Sequence, residues 1–164
     1  KPVFPTDAAH NLERRKEQIF KQIKNASIKE YEKTERSVRT SRGSIDPNIW
    51  LRNKYTNKND EMICQICKNV MPFKKRDGEY YFEAVEALSR DFFKKEHEAQ
   101  FLALCPLCAA MYKEFVKNDE NTMNDLYYSI KNNDKPEIEL RLGNLKTSIK
   151  FVEVHFSDLK VILG

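Results

Sequence analysis

The chain has 164 residues, of which 40% are hydrophobic and 33% charged, with only four glycines and six prolines. That composition fits one globular domain, or one domain with a helical arm, and excludes the disordered, collagen-like and membrane-spanning classes. No apolar run approaches the ~18 residues that a bilayer span needs, and the opening Lys1-Pro2-Val3-Phe4-Pro5 lacks a secretory signal pattern. Without an initiating methionine the sequence reads as a piece of a longer protein or as a processed chain, with no membrane partner.

The net charge of +4 is unevenly placed. From Glu13 to Lys54 there are twelve Lys or Arg against six Asp or Glu, a surplus of six that leaves the remainder near −2. A basic front end on a near-neutral body is compatible with nucleic-acid contact, although solvated helix faces give the same count.

In chain order, residues 8–35 carry Leu12, Ile19, Phe20, Ile23, Ile28 and Tyr31 at roughly helical spacing, with Thr6 or Asp7 as a start cap. This predicts one long amphipathic helix, or two broken near Asn25. The polar stretch through Arg36, Arg39 and Arg42 predicts a loop or extended arm. Asp46-Pro47 then opens a short helix carrying Ile49, Trp50, Leu51 and Tyr55, which can dock on the core. Further on, Asn121 to Lys131 predicts a helix with Met123, Leu126, Tyr127 and Ile130 on one side. Alternation from Glu137 to Leu142 and from Ser148 to His155, around Gly143-Asn144, predicts a β-hairpin. A last helix is expected from Ser157 to Leu163, and no internal repeat is visible.

All four cysteines fall in two Cys-x-x-Cys pairs, Cys64 with Cys67 and Cys105 with Cys108. The two-residue gap lets both thiolates of a pair reach one tetrahedral ion at ~2.3 Å. The second pair runs into an apolar helix from Ala109 to Val116, so its thiolates gain the N–H groups of a helix start. Disulfides are disfavoured in a reducing cytoplasm, the expected compartment, and a redox pair needs a different strand context. Two matched pairs with no cysteine left over predict one structural Zn²⁺. Between the pairs, Asp77-Gly78 flanked by Phe73 and Tyr80-Tyr81-Phe82 is a hairpin signal, followed by a helical connection. The expected fold class is α+β: a treble-clef, or ββα-metal, zinc module with an N-terminal helical arm and a C-terminal β-hairpin plus helix.

Residues 62–116 resemble the HNH endonuclease family, on Cys64-x-x-Cys67, Tyr81-Phe82-Glu83-Ala84 and Leu102-Ala103-Leu104-Cys105-Pro106-Leu107-Cys108. The resemblance implies a nuclease scaffold whose catalytic positions are replaced. The family's metal-binding Asp or His falls on Val85 and its general-base histidine on Glu86. Its asparagine falls on Gln100, and the histidine after the fourth cysteine falls on Ala109. Such chemistry needs an imidazole to take a proton from water and a hard cation to neutralise phosphate, and Val85 supplies no ligand atom. No enzymatic activity is therefore expected. The wider pattern, from Arg36-Ser37-Val38-Arg39 to Ile149 through Lys160, resembles terminal domains of large bacterial ATPase- or helicase-like defence proteins, with the rest of the parent protein as a partner.

The expected organisation is a basic arm and docking helix over residues 1–60, the four-cysteine zinc module over 61–118, and a helix, hairpin and final helix over 119–164. Three readings of function follow. A non-catalytic zinc module would bind nucleic acid through Arg36, Arg39, Arg42, Lys74, Lys75 and Arg76 on phosphates. A protein-interaction domain would use the N-terminal helix to dock a partner or another copy. A divergent metal nuclease would use Glu83, Glu86 and His97. His97 and His155 are otherwise expected to pack or hydrogen-bond, and His10 to be solvated.

Overall fold

The computed structural model describes residues 2–7, 46–93 and 96–163. The predicted helical arm, His10 and the arginines Arg36, Arg39 and Arg42 lie outside the described residues.

Helix α1 (Pro47–Tyr55) begins as its sequence dictates: the Asp46 side chain accepts from the Asn48 N–H, and Pro47 fills the first turn. Trp50, Leu51 and Tyr55 form its buried stripe. Strand β1 (Glu83–Glu86) pairs antiparallel with β2 (Phe101–Leu104), Glu83 opposite Leu104 and Glu86 opposite Phe101. The connection between them carries two short 3-10 turns, Arg90–Phe92 and Glu98–Gln100, where a helical connection was expected.

From β2 the chain enters helix α2 (Pro106–Tyr112), which widens into a π-turn at Lys113–Lys117. Helix α3 (Glu120–Asn132) is capped by Asp119 and buries Met123, Leu126 and Ile130. Strands β3 (Glu137–Leu142) and β4 (Leu145–Lys150) form a hairpin around Gly143, whose φ of 66° suits a residue without a Cβ. A Cβ there would also lie 3.0 Å from the Phe115 ring.

Two expectations need correction. The alternation read as strand through His155 stops at Lys150, and helix α4 runs from Glu153 to Ile162. Val154, His155, Phe156, Asp158 and Leu159 are all buried in α4, so packing on the core overrides the strand preference of its β-branched residues. The hairpin expected at Phe73–Phe82 is present but shorter than expected, with one antiparallel bridge, Lys74 to Tyr80, and backbone hydrogen bonds from Lys75 to Glu79 and from Tyr81 to Phe73. Residues 72–79 are exposed, and the longer ladder forms downstream at Glu83.

The result is an α+β arrangement of helices and two small antiparallel sheets. One hydrophobic cluster joins Trp50, Met62, Leu102, Tyr112, Ile130, Phe151 and Leu159, from all along the described chain. Among the described residues no helix is long and apolar enough to cross a membrane.

Candidate metal centre

The four cysteines, distant in sequence, converge: their Sγ atoms all lie within 4.8 Å of one another. None is in a disulfide. The first pair sits in a turn where the Lys68 N–H bonds the Cys64 carbonyl at 3.0 Å and the Cys64 N–H bonds the Asn69 carbonyl at 3.0 Å. Lys68 closes that turn with a φ of 61°. Across from it, Cys105 is the N-cap of α2, with its Sγ accepting from the Cys108 N–H at 3.5 Å. The Cys105 N–H in turn points at the Cys64 Sγ, 3.4 Å away.

This geometry fits a metal. A tetrahedral ion with bonds of about 2.3 Å to sulfur needs S···S edges of about 3.8 Å, and Cys67 and Cys105 stand 4.0 Å apart. Hydrogen bonds among the thiols divide their protons. The bond with Cys105 pulls Cys67 far down, and the bond with Cys108 draws Cys105 down to about 6, whereas Cys64 and Cys108 are each pushed up by the bond with Cys105. A divalent cation is what allows all four to ionise together, releasing the retained protons. Cys64, Cys105 and Cys108 are buried and Cys67 half-buried, and a tetrahedral ion held by all four would have no coordination position left for water.

Two residues that sequence reasoning passed over brace the cluster. Gln65, fully buried between the first two cysteines, accepts from the Ala103 N–H at 2.8 Å and donates to the Lys150 carbonyl at 3.0 Å. Lys68 reaches the Ser148 carbonyl at 2.9 Å and its hydroxyl at 2.6 Å, with Glu137 at 3.7 Å. Burial lowers its pKa. The turn is thus tied to both sheets. The only sequence signal was a glutamine inside a turn that a metal would bury.

The positions matched to nuclease catalysis, along the β1–β2 ladder and in α2, are otherwise engaged. Val85 is buried in the core. The Glu86 carboxylate accepts from Gln100 Nε2 at 2.8 Å, and Gln100 Oε1 accepts from the His97 N–H at 2.9 Å. His97 is itself buried, its Nδ1 accepting from the Ala99 N–H at 3.0 Å, so it caps a turn. Ala109 is fully buried and donates its N–H to the Cys105 carbonyl. Glu83 meets Lys113 at 3.1 Å and the Tyr81 hydroxyl at 3.3 Å. Lys117 donates to the carbonyls of Glu86 and Leu88, both at 3.2 Å. The ligand atoms of Glu83, Glu86 and His97 do not converge as the cysteine sulfurs do: among the described residues the four-cysteine set is the one group with that geometry.

His155 lies in the core rather than at a site. Its Nε2–H donates to the Ala99 carbonyl at 2.9 Å, which leaves Nδ1 to accept from the Tyr55 hydroxyl at 2.6 Å. Burial pushes this imidazole down to about 3, so it is neutral. Lys74, Lys75 and Arg76 all stand exposed on the tight loop. Compared with protein-family models, curated proteins and solved structures, the chain shows no match.

Proposed function

We propose that this chain is a treble-clef zinc module of the HNH-like type that has lost catalysis and binds nucleic acid within a larger protein. The observation that carries the reading is the contrast at the two ends of one ladder. Four sulfurs converge at the cysteine end, while Val85 and the Glu86–Gln100 hydrogen bond stand where cation and base would be needed. The metal is zinc because four thiolates in a tetrahedral set select it over harder ions. A closed, four-thiolate zinc fixes the fold and offers no activated water. The free thiols belong to a reducing compartment, the cytoplasm. Lys74, Lys75 and Arg76, together with Arg36, Arg39 and Arg42 of the front segment, supply the phosphate contacts, in keeping with restriction or defence of DNA by the parent protein.

The test is anisotropy of labelled oligonucleotides, single-stranded and duplex, titrated with the full chain at low and moderate salt. Binding is expected, falling steeply as salt rises. If neither oligonucleotide binds at low salt, the nucleic-acid reading is wrong. A second reading, a protein-interaction domain, draws on the exposed Leu107 between the last two cysteines and on Phe115 beside the β3–β4 turn; it gains if oligonucleotides fail. Plasmid incubated with the chain and Mg²⁺, Mn²⁺ or Ni²⁺ should remain uncut, and cutting abolished by Glu86→Ala would restore the nuclease reading.

A further inference from the structure

The tight loop between the two cysteine pairs carries an aromatic surface that the fold does not consume. Along residues 80–82 the strand period of two turns Tyr80 and Phe82 toward the core and leaves Tyr81 on the outer side. There Tyr81 stacks against Phe73, with ring centroids 5.1 Å apart and planes within 10°. Phe73 is 51% exposed. One face of its ring is spent on Tyr81, and half of its surface remains accessible to solvent.

The pair is held ready. The Tyr81 N–H bonds the Phe73 carbonyl at 3.0 Å, and the Tyr81 hydroxyl reaches Glu83 at 3.3 Å. The loop tip is closed by the Lys75 N–H on the Glu79 carbonyl at 2.7 Å and the Gly78 N–H on the Lys75 carbonyl at 2.9 Å. Its acids are neutralised locally: Asp77 sits 3.5 Å from Lys75 and Glu79 3.4 Å from Arg52. Two cations are left over. Lys74 lies 4.9 Å from the Tyr80 ring centroid, and among the described residues neither Lys74 nor Arg76 meets a carboxylate.

We infer that the outer face of Phe73 is a stacking platform for an unpaired base of a single-stranded nucleic acid, with Lys74 and Arg76 on the flanking phosphates. This rests on the nucleic-acid reading and narrows it to a substrate class. A duplex keeps both faces of its bases covered and offers nothing to this ring, whereas every unpaired base has a free face. The Tyr81–Phe73 stack lets a base extend an existing column rather than meet a lone side chain.

The experiment compares labelled single-stranded and duplex oligonucleotides of one sequence against the full chain and its variants by anisotropy. Wild type should favour the single strand. Phe73→Ala should lose about tenfold or more on the single strand and little on the duplex. Phe73→Tyr should keep wild-type affinity, and Phe73→Leu, which retains bulk without a π-face, should behave as the alanine. None of these should change metal content or helicity, because the ring lies outside the core. Lys74→Ala with Arg76→Ala should instead flatten the salt dependence, by about 1.4 in log–log slope for two phosphates. Should Phe73→Ala or Phe73→Leu bind the single strand as wild type does while the charge variant weakens it, the platform is refuted and the nucleic-acid reading stands. Equal preference for duplex would also refute it, and absence of all binding would remove both.

Discussion

The β1–β2 ladder ends in sulfur on one side and in amide and carboxylate chemistry on the other, separated by four paired residues, or roughly 10 Å. At the sulfur end the backbone delivers four like ligand atoms to one point, and their protons are shared because they are too close to ionise independently. At the far end Glu86, Gln100 and His97 form a chain of hydrogen bonds that engages one Glu86 oxygen, both ends of the Gln100 amide and the His97 N–H and Nδ1. The difference teaches what a metal site requires. Polar residues gathered in one place are not enough; their lone pairs must converge on one point that no protein donor fills.

That contrast can be broken most forcefully at the cysteines. Cys105→Ala removes a ligand and the N-cap of α2 together, and should abolish tight zinc binding and leave the module unfolded, as read by circular dichroism and metal content. The expected loss is on the order of 10 kcal/mol of metal-linked folding energy. A chain that stayed folded and cooperative would show that the core alone holds the ladder.

The same logic predicts a milder result at the other end. Gln100→Ala removes one donor from the Glu86 carboxylate and one acceptor from the buried His97 N–H, and should cost about 1–3 kcal/mol in denaturant titration while zinc content stays at wild type. If metal is lost as well, the two ends are coupled and the comparison fails.

A pH-dependent effect tests the account away from both ends. Burial holds His155 near 3, below its ordinary 6.5. Between those values the unfolded chain takes up a proton that the folded one refuses. Stability is therefore full above about pH 6.5 and falls as pH drops, by up to about 1.4 kcal/mol per unit. The midpoint of unfolding followed by Trp50, whose ring lies 5.0 Å from His155, should track this slope, and His155→Gln should flatten it. A slope unchanged by that substitution would place the titration elsewhere. The smallest effect is expected from Glu86→Gln, which keeps an acceptor for Gln100 and should shift stability by less than about 1 kcal/mol.

Much of this architecture was legible because local signals agreed with burial. Asp46-Pro47 opened α1, Gly143 set the β3–β4 turn, and paired Cys-x-x-Cys spacing located the cluster. What was not legible depended on contacts distant in sequence. Val152 and Val154 alternate like a strand, yet α4 forms because His155 and Leu159 find Tyr55 and the core. Asp77-Gly78 does turn the chain back, but the pairing stops at one bridge on an exposed loop. Gln65 gave only the weak signal of a glutamine inside the turn and Lys68 none, since their role in bracing the cysteine turn comes from β2 and β4, more than thirty residues away.

The central claim is a closed, four-sulfur zinc site beneath a scaffold without catalysis. Zinc K-edge X-ray absorption on the purified full chain addresses it most directly. The predicted result is one zinc per chain with four sulfur neighbours at about 2.3 Å and no lighter atom bound to the metal. A nitrogen or oxygen neighbour, or the absence of zinc from folded protein, would contradict it.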